Sequence, residues 1–96
     1  MPKAYWIAHV EVTDPETYGE YAKIATEAIE AHGGAFLARS GRYAQLEGTD
    51  RARNVVVEFP SLEDAVACYE SARYQEAVSF AKRSSKRDLM VVEGIA

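Results

Sequence analysis

Apolar residues fall at every second position through AYWIAHVEV, Ala4 to Val12, which predicts a strand. Trp6, Ala8, Val10 and Val12 lie on one side; Tyr5, Ile7, His9 and Glu11 lie on the other. The period then changes. After Thr13, Tyr18, Tyr21, Ala22, Ala25, Ala28, Ile29 and His32 recur at three- and four-residue steps, the spacing of a helix with one core-facing stripe. Asp14 can cap the free amides of that helix, Pro15 suits its first position, and Glu16 favours the positive end of its dipole. Gly33-Gly34 ends it, because glycine enters the left-handed region without steric cost.

AFLARSGRYAQLEG reads as a second strand, with a bulge or bend expected near Ser40-Gly41. GTDRA turns the chain, and RNVVVEF is the third strand. Pro60 cannot extend it, having no amide hydrogen to donate. Ser61 caps a second helix, with Asp64 where a capping box places an acidic partner. Leu62, Ala65, Val66 and Tyr69 form its buried stripe. Tyr74, Ala77, Val78 and Ala81 repeat the spacing after a change of phase around Glu70-Ser71, which predicts a kinked or two-part helix. DLMVVEG is the last strand.

The order β-α-β-β-α-β predicts an α+β, ferredoxin-like domain over residues 1–96: an antiparallel sheet of order 4-1-3-2 with its helices on one face. Val55, Val56 and Val57 are apolar on both sides of the third strand, and Tyr5 and Ile7 oppose Trp6, Ala8 and Val10. Helices cover only one face, so the other calls for a cover from outside the chain. A second copy is the simplest one, and a homodimer with sheets packed face to face is expected.

Composition narrows the classes of function. Ninety-six residues suit one domain, which alone buries roughly 60–65% of its unfolded surface. A net charge of −4 argues against a general nucleic-acid or anionic-membrane binder. No apolar run approaches the ~20 residues of a membrane span, and the alternating start is unlike a signal peptide. The single cysteine, Cys68, excludes an internal disulfide, so a cytoplasmic location is expected. Cys68 has no histidine near it in sequence and reads as an inert buried thiol. His9 and His32 lack metal-ligand spacing, and no metal, haem or other cofactor is expected. KRSSKR, Lys82 to Arg87, is the only basic run. It is too short for a nucleic-acid patch and reads as a solvated helix end.

The pieces YWIAHVEVTDPETYGEY, GGAFLARSG, LEG, EFPS, CYESARYQ and VVEG together resemble the small bacterial domain-of-unknown-function family 1330 (DUF1330) over essentially the whole chain. The resemblance implies the dimeric α/β-barrel variant of the ferredoxin-like fold. That superfamily also holds antibiotic-biosynthesis-type monooxygenases, muconolactone isomerase and haem-handling enzymes. Tyr21, Gly33, Gly34, Arg39, Gly41, Glu47, Gly48, Arg53, Glu58, Phe59, Pro60, Ser61, Tyr69, Ser71, Tyr74 and Gly94 match the family pattern. Ser40 replaces a usual glycine, Asp50 a frequent tryptophan, and Ala81 a frequent arginine, so that this chain must use Arg83 in its place or do without.

Strand phase places His9, Arg39 and Glu58 on the mixed face of three neighbouring strands. Such a grouping could bind an acidic or enolic molecule and move a proton, or could be an ion-paired cluster that fixes dimer register. Arg53, in phase with Val55, Val57 and Phe59, points towards the helices, with Glu47 as a possible partner. Tyr18, Tyr21, Tyr69 and Tyr74 either edge a ligand cleft or pack the core. Two functions follow. One is a metal-independent binder or enzyme for a small acidic or enolic molecule, using a pocket between sheet and helices or at the dimer seam, with His9, Arg39, Glu58, Arg53, Tyr69 and Tyr74 as candidate ligand residues. The other is a non-catalytic dimeric module.

Overall fold

The computed structural model describes residues 2–96. Its elements are β1 (Ala4–Val12), α1 (Pro15–Ala31), β2 (Ala35–Arg39), β3 (Arg53–Phe59), α2 (Leu62–Glu70), α3 (Ala72–Ser84) and β4 (Ser85–Glu93). The four strands form one antiparallel sheet of order β2-β3-β1-β4, the expected 4-1-3-2 arrangement. Alternation along β1 sends Ala4, Trp6, Ala8 and Val10 into the layer between sheet and helices, where all four are buried. Val57 and Phe59 join them from β3, and Tyr18, Tyr21, Ala25, Ala28 and Ile29 from α1.

The helix boundaries follow local chemistry. Asp14 Oδ1 accepts from the Thr17 amide at 3.3 Å, and Ser61 Oγ accepts from the Asp64 amide at 3.1 Å. The predicted change of phase near Glu70-Ser71 is a true break. Ser71 is extended (φ −64°, ψ 150°), closes α2 through its amide on the Cys68 carbonyl, and caps α3 by accepting from the Tyr74 amide. The two pieces are therefore separate helices that share Ser71 as a cap. α1 ends at Gly33, whose φ of +79° favours glycine. Gly34 then passes so close to the core that an added Cβ would lie 2.6 Å from Ile29 Cγ2 and 2.9 Å from Phe59 Cε1.

Two sequence expectations need correction. The second strand ends at Arg39 instead of running on to Gly48: Ser40 turns to φ +59°, its amide makes a last bond to the Asn54 carbonyl, and residues 41–52 leave the sheet. The bend expected near Ser40-Gly41 is present at Ser40, and a register shift between Phe36 and Ala38 adds a second irregularity that the sequence did not signal. The last strand begins at Ser85, three residues before Asp88, so KRSSKR is half helix and half strand. No helix among the described residues is long and apolar enough to cross a membrane.

Gly34→Ala is expected to cost about 1–3 kcal/mol in urea unfolding, because the methyl group overpacks against Ile29 and Phe59. Gly41→Ala, with open space around its added Cβ, should stay within about 0.5 kcal/mol of the parent.

Candidate functional site

A cleft of about 560 Å³ opens between the α2–α3 pair and strands β1 and β4. Trp6, Leu89 and Val91 line it from the sheet, Ala65, Val66 and Tyr69 from α2, and Val78 and Ala81 from α3. The Trp6 indole holds the arrangement by donating Nε1–H to the Ala65 carbonyl at 3.0 Å, a buried bond between sheet and helix. Its ring meets Phe59, Tyr74 and Tyr69 at centroid distances of 5.1, 4.9 and 6.4 Å. Val66 and Tyr69, expected in the buried stripe of α2, are instead 38% and 41% exposed. The short helix rides at the cleft, and its stripe borders open space rather than core.

Glu70, Lys82 and Arg87 also border the cleft, and Arg87, expected within the solvated run KRSSKR, is the more enclosed of its two cations. Alternation on β4 turns Ser85, Arg87, Leu89 and Val91 towards the helices and leaves Lys86, Asp88 and Met90 exposed. The guanidinium lies 4.6 Å from the centroid of the Tyr21 ring and donates to the Tyr74 hydroxyl at 3.2 Å. The Tyr21 and Tyr74 hydroxyls are 2.8 Å apart and share a hydrogen bond. Burial works against the Arg87 charge, but the Tyr21 and Tyr74 phenols more than offset it and hold its pKa above the ordinary arginine value. Burial, followed by the nearby Tyr21 phenol, raises Tyr74 well above the ordinary 10.0, against the opposing pull of Arg87. A buried phenol kept neutral beside a guanidinium is a stable backing, leaving the remaining Arg87 N–H groups to face other acceptors. Tyr18, Tyr21 and Tyr74 are core residues; Tyr69 alone of the four candidate tyrosines borders the cleft.

The expected trio does not assemble. β3 pairs with β1 so that His9 stands opposite Asn54 and Glu58 opposite Tyr5, four residues apart along the strand. His9 Nδ1 lies 2.7 Å from Asn54 Oδ1, and the Glu58 carboxylate is 3.3 Å from Lys3 Nζ. Arg39 is on the other face. The register shift between Phe36 and Ala38 reverses the phase of the rest of β2, so that Arg39 pairs with Val55, a helix-facing residue. Its guanidinium stacks 4.2 Å from the Phe36 centroid and donates to Thr26 Oγ1 at 2.9 Å. Arg53 points towards the helices as its phase requires, but its partner is the Ser40 hydroxyl and not Glu47. Its guanidinium sits 5.3 Å from the Tyr18 ring, and its Nε is buried without a hydrogen-bond partner. Ala81 borders the cleft, while Arg83 stacks on Phe80 and donates to the Ser79 carbonyl.

The described residues contain no group of three or more His, Cys, Asp or Glu side chains placed to hold a metal ion. Cys68 is fully buried, and burial pushes its thiol from 9.0 up to about 12. On the uncovered face of the sheet, Ile7 stands opposite both Val56 and Met90, and Tyr5 opposite Val92. Met90 and Val92 are 52% and 42% exposed. This forms a continuous apolar patch bordered by His9, Asn54, Glu58 and Asp88.

Sheet order, layer arrangement and cleft define a ferredoxin-like α+β protein. The chain belongs to the DUF1330 family, described as a domain of unknown function, whose model matches residues 3–95. Among proteins with curated descriptions, none matches the sequence. Solved structures share the fold. One is a protein of unknown function from Rhodopseudomonas palustris (TM-score 0.82, 16% identity, covering 99% of this chain and 84% of that one). A dimeric ferredoxin-like protein of unknown function from Thermobifida fusca is similar at TM-score 0.65 and 14% identity, covering 97% and 92%. SnoaB, a cofactor-independent oxygenase from Streptomyces nogalater, is similar at TM-score 0.65 and 9% identity, covering 100% and 96%.

Tyr74→Phe is expected to lower stability by about 1–3 kcal/mol at pH 8, since Arg87 and Tyr21 lose a buried partner. The raised Tyr74 value adds a signature. Stability from the neutral phenol is complete below 10.0 and declines as pH rises above it, by about 1.4 kcal/mol per unit while the folded phenol stays protonated. The gap between parent and variant should therefore narrow between pH 10 and 11 in urea titrations. A constant gap would contradict the assignment. Separately, Cys68 should resist thiol reagents at pH 8 until the chain unfolds.

Proposed function

We propose that this protein is a homodimer that binds a small organic molecule, acidic or enolic and carrying an apolar or aromatic body, in the cleft between α2–α3 and the sheet. The observation that carries the reading is Arg87, a permanent cation at an apolar cleft, backed by the Tyr74 hydroxyl and the Tyr21 ring and in no ion pair among the described residues. A guanidinium in such surroundings favours an anionic oxygen, because charge-assisted bonds are strongest where water is scarce. Trp6 and Tyr69 offer aromatic surface to the rest of the ligand, and 560 Å³ falls in the range of small-molecule pockets. Tyr69 touches the ligand, and Tyr74 acts through Arg87. That SnoaB, a fold neighbour, is a cofactor-independent oxygenase supports small-molecule chemistry on this scaffold.

The dimer forms through the uncovered sheet face. Support comes from the apolar patch of Tyr5, Ile7, Val56, Met90 and Val92, and from fold neighbours described as dimeric. His9 and Glu58, already paired with Asn54 and Lys3, belong to the rim of this interface.

In a thermal-shift screen of small carboxylates, lactones and phenols, acids and enolisable compounds should raise the melting temperature. Arg87→Met should weaken the best of them by roughly 10–100-fold, while Arg83→Met leaves its affinity unchanged. Binding unaffected by Arg87→Met would refute the cleft assignment, and no binding at all would favour a purely structural dimer. Light scattering at micromolar concentration should give twice the chain mass, and Ile7→Lys should give a folded monomer. A monomeric parent protein would rule out the interface.

A further inference from the structure

The chain leaves the sheet after β2 and returns to it at β3, and the segment between does not fold back onto the core. Every residue from Leu37 to Asp50 is exposed, including Tyr43 at 44% and Leu46 at 88%. The segment nonetheless holds a shape. The Tyr43 hydroxyl donates to Asp50 Oδ1 at 2.8 Å, Gln45 Nε2 donates to the Glu47 carbonyl, and Gly48 turns the chain at φ +90°. At its base, Arg51 Nη1 donates to Asp88 Oδ2 at 2.6 Å. Asp88 stands on β4 beside His9 of β1, on the face that the helices leave uncovered, so the base of this arm is fixed at that face. Ordering an extended segment costs conformational entropy, and here no burial within the chain offsets it.

The uncovered face indicates where the arm goes. Met90 belongs both to its apolar patch, opposite Ile7, and to the lining of the proposed ligand cleft. The cleft therefore opens around the β4 edge onto the proposed dimer interface. That edge is nine residues long, with β1 as the only neighbour of β4 among the described residues, so its outer backbone groups are free to pair. Two sheets stacked face to face with aligned strands are related by a twofold axis between them, running either along the strands or across them. An axis along the strands sets each β2 edge over the β4 edge of the other copy and preserves strand direction. Arg53 and Arg87 both pair with Val10, so the arm and the Arg87 end of the cleft lie at the same end of the sheet. This axis brings the unpaired arm of one copy to the unpaired β4 edge of the other. An axis across the strands would stack each strand on its own counterpart and leave both the arm and that edge bare. Charge agrees with the first arrangement. Glu47, in no ion pair among the described residues, arrives beside the basic run Lys82 to Arg87.

We propose that residues 41–50 form an arm that docks on the β4 edge of a second copy and closes the mouth of its cleft, with Leu46 seated beside Met90. The inference rests on the dimer proposed above and adds that each cleft is completed by the other chain. Chains carrying Leu46→Cys, mixed with chains carrying Met90→Cys and mildly oxidised, should give a disulfide between the two, identified by mass spectrometry of the linked peptides. Leu46→Cys chains mixed with Glu20→Cys chains, altered on the outer surface of α1, should not. Disulfides only between two Leu46→Cys chains would report the other axis and overturn the inference. In sedimentation equilibrium, Leu46→Asp should weaken dimerisation by about 10-fold or more, while Leu46→Met stays near the parent. Dimerisation unchanged in Leu46→Asp would also overturn it. A monomeric parent protein would remove the dimer and the arm together, whereas a dimeric parent without the mixed disulfide would remove the arm alone.

Discussion

The Trp6 side chain ties the two layers together, and the position of the cleft follows from it. Its Nε1–H bond to the Ala65 carbonyl fixes the start of α2 over the central strand, while its ring packs against Phe59 and Tyr74. Aromatic contacts of this kind contribute about 0.5–1.5 kcal/mol each beyond the area they bury. With α2 held at that point and broken from α3 at Ser71, the helices do not close over β4. The cleft is the space left between them. Trp6, Leu89 and Arg87 border both that cleft and a smaller cavity beneath α1, so they form the partition between the two.

Charge is distributed unevenly across the sheet. The chain carries a net −4, yet three arginines occupy the helix-facing side without a carboxylate partner among the described residues. The tyrosines offset part of that imbalance through ring faces and hydroxyl oxygens. Their role is therefore electrostatic as well as hydrophobic, and Tyr21 and Tyr74 join core packing to Arg87 at the cleft. Most paired acidic side chains sit elsewhere: Glu27 and Glu76 pair with Arg73 across the outer helix surface, and Asp88 pairs with Arg51 from the opposite face of β4.

Much of the fold is legible along the chain because its signals are local. The alternation of β1, the Asp14 and Ser61 caps, the Pro60 stop and the phase change at Ser71 each depend on neighbours a few residues away. The alternation of RYAQLEG resembles that of a paired strand, and nothing local reveals that no partner within the chain lies beside it. The charge of KRSSKR misleads for a related reason. Charge and helical position suggested exposure, whereas the chain passes from α3 directly into β4 at Ser85, and strand parity then turns Arg87 inward.

Short-range periodicity alone carries the order of elements, the antiparallel sheet, the helix-covered face and the apolar character of the opposite face. Which polar groups meet depends on pairing between distant segments. A single register shift between Phe36 and Ala38 moves Arg39 away from His9 and Glu58, and the pairing of β1 with β3 sets those two residues four positions apart. Side chains in a sheet repeat every two residues, so one inserted position inverts every later assignment on its strand. That inversion depends on hydrogen bonds between distant segments, where composition and spacing carry no signal.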